Sequence, residues 1–82
     1  MVFTLATMPA LDRDSPVPLY RQLADELRRR IAREDLTRLP SYLTLTQEYE
    51  VSRPVAEGAV KLLVAEGLVE ISPGRGAFVR RQ

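Results

Sequence analysis

The chain contains no cysteine and no histidine. Those two absences remove disulfides, thiolate nucleophiles, zinc sites of the usual kind and imidazole general bases. Aromatic residues make up only 6% of the chain, and they form no row of the kind on which single-stranded nucleic acid stacks. An excess of one charge is also lacking. Twelve Lys and Arg against eleven Asp and Glu leave a formal net charge of +1, so composition alone does not argue for nucleic acid and local arrangement must. No apolar run is long enough to span a bilayer. Met1 to Leu11 is apolar, but no basic segment precedes it and Asp12-Arg13-Asp14 follows at once, which does not make a signal peptide. There is no phosphate-binding glycine loop, metal cluster or nucleophile constellation. Asp25 and Glu26 are adjacent in sequence and do not converge as a catalytic pair must. An enzyme is therefore not expected, nor is a cofactor or metal.

What remains is an ordinary globular composition, 45% hydrophobic and 28% charged, in 82 residues. That length is one domain with a thin core. Residues 1–15 show no helical period and read as an N-terminal arm or linker, with a short strand candidate at Val2 to Leu5; residues 16–82 read as the domain. Pro16 and Pro18 stop anything upstream, and Pro18 suits the first helical position. Leu19, Leu23, Leu27 and Ile31 recur every four residues, with Tyr20 and Ala24 beside them, which predicts an amphipathic helix over 19–33. Pro40 breaks the chain. A second helix is expected over 42–49, capped either by Ser41 or by a box of Thr44 with Gln47, with Leu43 or Leu45 and Tyr49 facing inward. Ser52 is a good N-cap for a third helix over 53–66, whose buried stripe is Ala56, Ala59, Val60 and Leu63. Gly67 is the expected left-handed stop. The period then becomes alternating: strand 68–72, a turn at Pro73-Gly74-Arg75-Gly76, and strand 77–80.

The fold class is thus mainly α with a small β-hairpin (α+β), in the order of a winged helix-turn-helix: three helices plus a wing. The residues resemble the N-terminal DNA-binding domain of GntR-type bacterial regulators. The stretches that carry the resemblance run from Asp12 to Ala24, then Leu39-Pro40-Ser41, Gln47-Glu48-Tyr49, Val51-Ser52-Arg53, Leu62 to Val69, and Pro73-Gly74-Arg75-Gly76-Ala77-Phe78-Val79. The Pro-Leu-Tyr opening is most similar to the HutC and YtrA branches. The resemblance implies that recognition helix 52–66 lies in the major groove and wing 69–80 on the minor groove or adjacent backbone. It implies a bacterial, cytoplasmic, nucleoid-associated regulator of transcription, expected to repress. The C-terminal effector domain of the typical member does not follow in this sequence, so a small-molecule effector is not expected.

The sequence also departs from the pattern the resemblance sets. Pro54 and Val55 stand where two threonines are usual, Glu57 where an arginine is usual, and Glu50 where the turn carries glycine. Tyr42-Leu43-Thr44 replaces charged residues on the second helix. Gly58 weakens a helix by about 1 kcal/mol relative to alanine.

Candidate DNA-binding residues are Ser41, Ser52, Arg53, Pro54, Glu57, Lys61, Gly74, Arg75 and Gly76. Arg53, at the start of the recognition helix, suits a phosphate or guanine contact; the plain alternative is a solvated arginine. Glu57 can accept from cytosine N4 or pair with Arg53 or Lys61 at four-residue spacing. Lys61 suits a backbone contact or open solvent. Arg75 between two glycines suits a narrow minor groove, and otherwise is an exposed turn residue. Ser41 and Ser52 cap helices whose N–H groups can also hold a phosphate. Arg28-Arg29-Arg30, flanked by acids, reads as a solvated face away from the recognition element. The partner expected is double-stranded DNA. A single such domain makes few contacts, so specific binding favours a homodimer on a two-fold site, with the apolar arm Val2 to Met8 as the dimerising segment. Glu57, Pro54, Gly58 and the near-zero net charge favour a second reading, a winged-helix protein-interaction module with weak or no DNA binding.

Overall fold

The computed structural model describes residues 11–80. The dimerising arm expected at Val2 to Met8 and the strand at Val2 to Leu5 lie outside them. Three helices come first: α1, Leu19–Glu34; α2, Tyr42–Tyr49; and α3, Arg53–Ala65. Strands β1, Val69–Ser72, and β2, Gly76–Val79, then pair antiparallel, with Val69 opposite Val79 and Ser72 opposite Gly76.

The apolar period of α1 buries Leu23, Ala24 and Leu27, while Leu19 and Ile31 are half-buried at its ends. They meet Ala56, Ala59, Val60 and Leu63 of α3 and Leu45 and Tyr49 of α2 in one core. On α2 the inward residue is Leu45, fully buried, and Leu43 is 67% exposed. Ser41 is the cap of α2: its hydroxyl accepts from the Thr44 amide at 3.1 Å. The alternative box at Thr44 does not form, because Thr44 already lies within the first turn.

Gly58 has a use that helix propensity does not reveal. A Cβ there would stand 3.2 Å from Tyr20 Cβ. The glycine lets α3 lie close against α1, with Tyr20 half-buried between them. At the end of α3, Gly67 is left-handed (φ 78°), the Gly67 amide donates to Val64 and the Leu68 amide donates to Leu63. This pair of bonds satisfies carbonyls that the helix end leaves open and turns the chain into β1. Pro18 occupies the cap position of α1, one place ahead of the first helical turn.

Contacts of the domain begin before Pro16. Leu11 packs against the core. The Asp12 amide donates to Gln22 Oε1, and Gln22 Nε2 returns a bond to the Asp12 carbonyl. Arg13 donates to the carbonyls of Tyr49 and Glu50, closing the end of α2. Residues 11–15, the last of the expected arm, are therefore folded onto the helices.

The wing is broader than a hairpin. The Leu39 amide donates to Ala77 and the Val79 amide to Thr37, each at 2.9 Å, with Arg38 bridged to Phe78. The α1–α2 connection thus runs along β2 as a third extended segment. Phe78 is only half-buried in this position.

Candidate nucleic-acid interface

The start of α3 is built by Ser52, whose hydroxyl accepts from the Val55 amide at 3.4 Å, and by Pro54, whose missing N–H costs nothing in a first turn. That start projects Arg53. Its Nε donates to Glu57 Oε2 at 2.9 Å, and its guanidinium lies 5.1 Å from the centre of the Tyr42 ring. Glu57 thus forms the ion pair with Arg53 that the four-residue spacing allows. Lys61, two turns beyond Arg53, is exposed and makes no ion pair among the described residues.

Tyr42 joins this cluster to the wing. A groove of about 280 Å³ separates the start of α2 from the wing tip, lined by Ser41 and Tyr42 on one side and by Ser72, Gly74 and Gly76 on the other. Gly74 and Gly76 have φ of 77° and 122°, values that exclude most side chains. Between them Arg75 stands exposed, its amide bonded to the Ser72 carbonyl at 2.9 Å. Of the candidates, Ser41, Gly74 and Gly76 therefore line one groove, and Arg53 meets it through Tyr42. Tyr42 and Arg38 belong to that groove and sequence reasoning missed them. The signal for Tyr42 was the aromatic residue at a position where charge is usual.

Four of the five arginines of α1 are taken up in ion pairs. Arg28 pairs with Asp25 and Glu66, Arg29 with Glu26, Arg30 with Glu34 and Glu48, and Arg33 with Glu26 and Glu34. The run Arg28-Arg29-Arg30 is thus more than a solvated face. Arg28 ties α1 to the end of α3, and Arg30, 14% exposed, ties it to α2 through Glu48 and the Tyr49 hydroxyl. The hydrogen bond to Asp25 holds the Arg28 pKa above its ordinary value. For Arg30, burial opposes the charge but the Tyr49 hydroxyl, Glu34 and Glu48 outweigh it, and the pKa is raised. Arg13, Arg21, Arg38, Lys61, Arg75 and Arg80 enter no ion pair among the described residues; of these Lys61 lies on α3 and Arg75 at the wing tip. The described residues also hold no group of acids placed to bind a metal ion, and no helix long and apolar enough to cross a membrane.

Three helices with the third leading into a hairpin, glycines at the hairpin tip and unpaired cations beside it define a winged helix-turn-helix domain. Residues 19–79 match the GntR family of bacterial regulatory proteins, and the chain belongs to that family. It is 38% identical over 68 residues to the Escherichia coli mannosyl-D-glycerate transport/metabolism system repressor MngR, covering 79% of this chain and 28% of that one. It is 32% identical over 74 residues to the transcriptional repressor NagR of Bacillus subtilis, covering 87% and 30%. The chain thus spans less than a third of the length of these curated relatives. Among solved structures, YtrA from Sulfolobus acidocaldarius, a GntR-family transcription factor, superposes with a TM-score of 0.77 at 29% identity, over 88% of this chain and 79% of that one. The DNA-binding domain of AraR, solved in complex with operator ORE1, superposes with a TM-score of 0.75 at 28% identity, over 89% and 93%. The chain is a GntR-family DNA-binding domain, and the curated relatives named above, MngR and NagR, are repressors.

Proposed function

We propose that this domain binds double-stranded DNA in a sequence-specific manner and serves repression, with α3 in the major groove and the wing on the minor groove or adjacent backbone. One observation carries the reading: the glycine-flanked wing tip holds Arg75 exposed and without an ion pair among the described residues, and α3 carries Lys61 in the same state. Phosphate neutralisation dominates protein–DNA affinity, so a surface of uncompensated Arg and Lys is where a duplex gains most. Arg53 would read guanine or hold phosphate, Lys61 would hold phosphate, and Arg75 would enter the minor groove. Ser41 and Ser52 would present helix N-termini to phosphates. Repression is supported by the names of MngR and NagR, and duplex DNA by the AraR domain on its operator. Two copies on a two-fold site would supply the contacts that one domain lacks.

The test is fluorescence anisotropy with a random-sequence duplex at several salt concentrations. Affinity should fall log-linearly with salt, and Arg75→Ala should reduce the slope by about one. No binding at low salt overturns the reading. One observation favours a second reading, docking of a protein partner: Arg53 is already matched by Glu57, and Leu43, which follows Tyr42 on α2, is 67% exposed. In that case Arg53→Ala and Arg75→Ala together would leave activity intact.

A further inference from the structure

Arg38 lies in the α1–α2 connection, outside both the recognition helix and the wing hairpin, yet its side chain ends at the wing tip. Its Nη2 donates to the Arg75 carbonyl. Its guanidinium lies 5.3 Å from the centre of the Phe78 ring. Gly76, between those two residues, has no Cβ; one placed there would stand 3.3 Å from Arg38 Nε and Nη2. The backbone on either side of Arg38 is pinned to β2 by the Leu39–Ala77 and Thr37–Val79 bonds. A planar guanidinium stacks and donates at once, which an ammonium does not. Arg38 therefore touches all three consecutive parts of the wing's return: the Arg75 carbonyl, the Gly76 backbone and the Phe78 ring.

We infer that Arg38 is a positioning residue for DNA binding: it fixes the wing tip so that the Arg75 side chain is presented to the duplex. The inference deepens the DNA-binding reading above and rests on it. Two consequences follow. Gly76 is glycine both for its left-handed φ and to admit the Arg38 guanidinium. The wing is a unit of the α1–α2 connection as well as of the hairpin, so changes in that connection reach the minor-groove contact.

Two measurements test this, one without DNA. In the free protein, Arg38→Ala should speed hydrogen exchange at the Arg75 amide by about two- to fivefold, as expected for loss of an exposed cation–π contact, while α1 and α3 amides stay unchanged. Unchanged exchange at the wing tip overturns the inference whatever happens with DNA. With duplex DNA, Arg38→Ala should weaken binding by about two- to fivefold when Arg75 is present and have no effect in Arg75→Ala protein. Equal weakening in both backgrounds overturns the inference by making Arg38 an independent contact. Arg38→Lys keeps the charge and should behave like Arg38→Ala; full affinity with lysine overturns it by making charge, not placement, the contribution. Wild-type protein that fails to bind duplex overturns the functional reading and the DNA half of the inference, and the exchange experiment then decides the clamp alone.

Discussion

Replacing Glu50 with glycine should stabilise the domain. Glu50 ends α2 in the left-handed region, with φ 55° and ψ 49°. Crowding of Cβ against the following carbonyl makes that conformation cost about 1–2 kcal/mol for a residue with a side chain. Glycine removes this cost but has more freedom to lose on folding, about 0.5–1 kcal/mol. The hydrogen bonds at the site belong to the backbone and survive the change: the Glu50 and Val51 amides donate to Thr46, and the Glu50 carbonyl accepts from Arg13. The Glu50 side chain is exposed and contributes no ion pair among the described residues that the change would break.

The net gain should be about 0.5–1 kcal/mol. In a domain of this size that raises the melting temperature by roughly 2–8 °C. Thermal and urea unfolding followed by circular dichroism would read it, with an unchanged urea slope as the check on two-state behaviour. Glu50→Ala is the control: it removes the carboxylate but keeps Cβ, so it should melt close to the wild type. If the glycine variant is no more stable, or if alanine gains as much as glycine, the left-handed turn is not the source of strain and the reasoning fails.

Glu57→Ala should tighten binding to random duplex and steepen its salt dependence, because it releases Arg53 and removes a carboxylate from the phosphate-facing surface; the fold should lose only about 0.3–0.5 kcal/mol, and weaker binding to every sequence would count against the proposed orientation. Gly58→Ala should lower stability despite a propensity gain of about 1 kcal/mol, since the new Cβ meets Tyr20 Cβ at 3.2 Å between two packed helices and overpacking costs about 1–3 kcal/mol; a higher urea midpoint would refute it. Burial raises the Tyr49 phenol above its ordinary value, against the pull of Arg30. The folded state therefore holds that proton more tightly than the unfolded state. Its contribution is intact below the unfolded pKa of about 10 and is lost as pH rises through the folded value. Urea midpoints taken from about pH 8 to about pH 11 should fall along an alkaline limb that Tyr49→Phe flattens.

The elements were legible because their signals are local. The four-residue recurrence in α1, the Ser41 and Ser52 caps, the stop at Gly67 and the glycines of the turn each fix geometry within a few residues. What the sequence concealed depends on partners far along the chain. Gly58 reads as a weak point until Tyr20, thirty-eight positions earlier, is placed against it. Arg13 reads as part of a linker until it reaches the end of α2. Arg38 reads as an unremarkable loop cation until β2 folds back beneath it. No periodicity reports such contacts, because each joins elements whose relative placement the core decides.

Charge shows the same division with a functional result. A net charge of +1 counts against a nucleic-acid partner only if the charges are evenly spread. They are not. Asp25, Glu26, Glu34, Glu48 and Glu66 are taken up by Arg28, Arg29, Arg30 and Arg33 of α1. Two of these pairs, Arg28–Glu66 and Arg30–Glu48, brace α1 against the end of α3 and against α2. Together the pairs neutralise five of the eleven acids of the chain. Within α3 and the wing hairpin Glu57 and Glu70 stand against Arg53, Lys61 and Arg75. A phosphate backbone would be held within about a Debye length of the surface, so it responds to this local excess and not to the sum. Glu57 is the exception that gives the interface a choice. Paired with Arg53 it lowers the attraction for any duplex, and that loss is recovered only where a base edge satisfies both groups, so an acid at this position trades general affinity for discrimination.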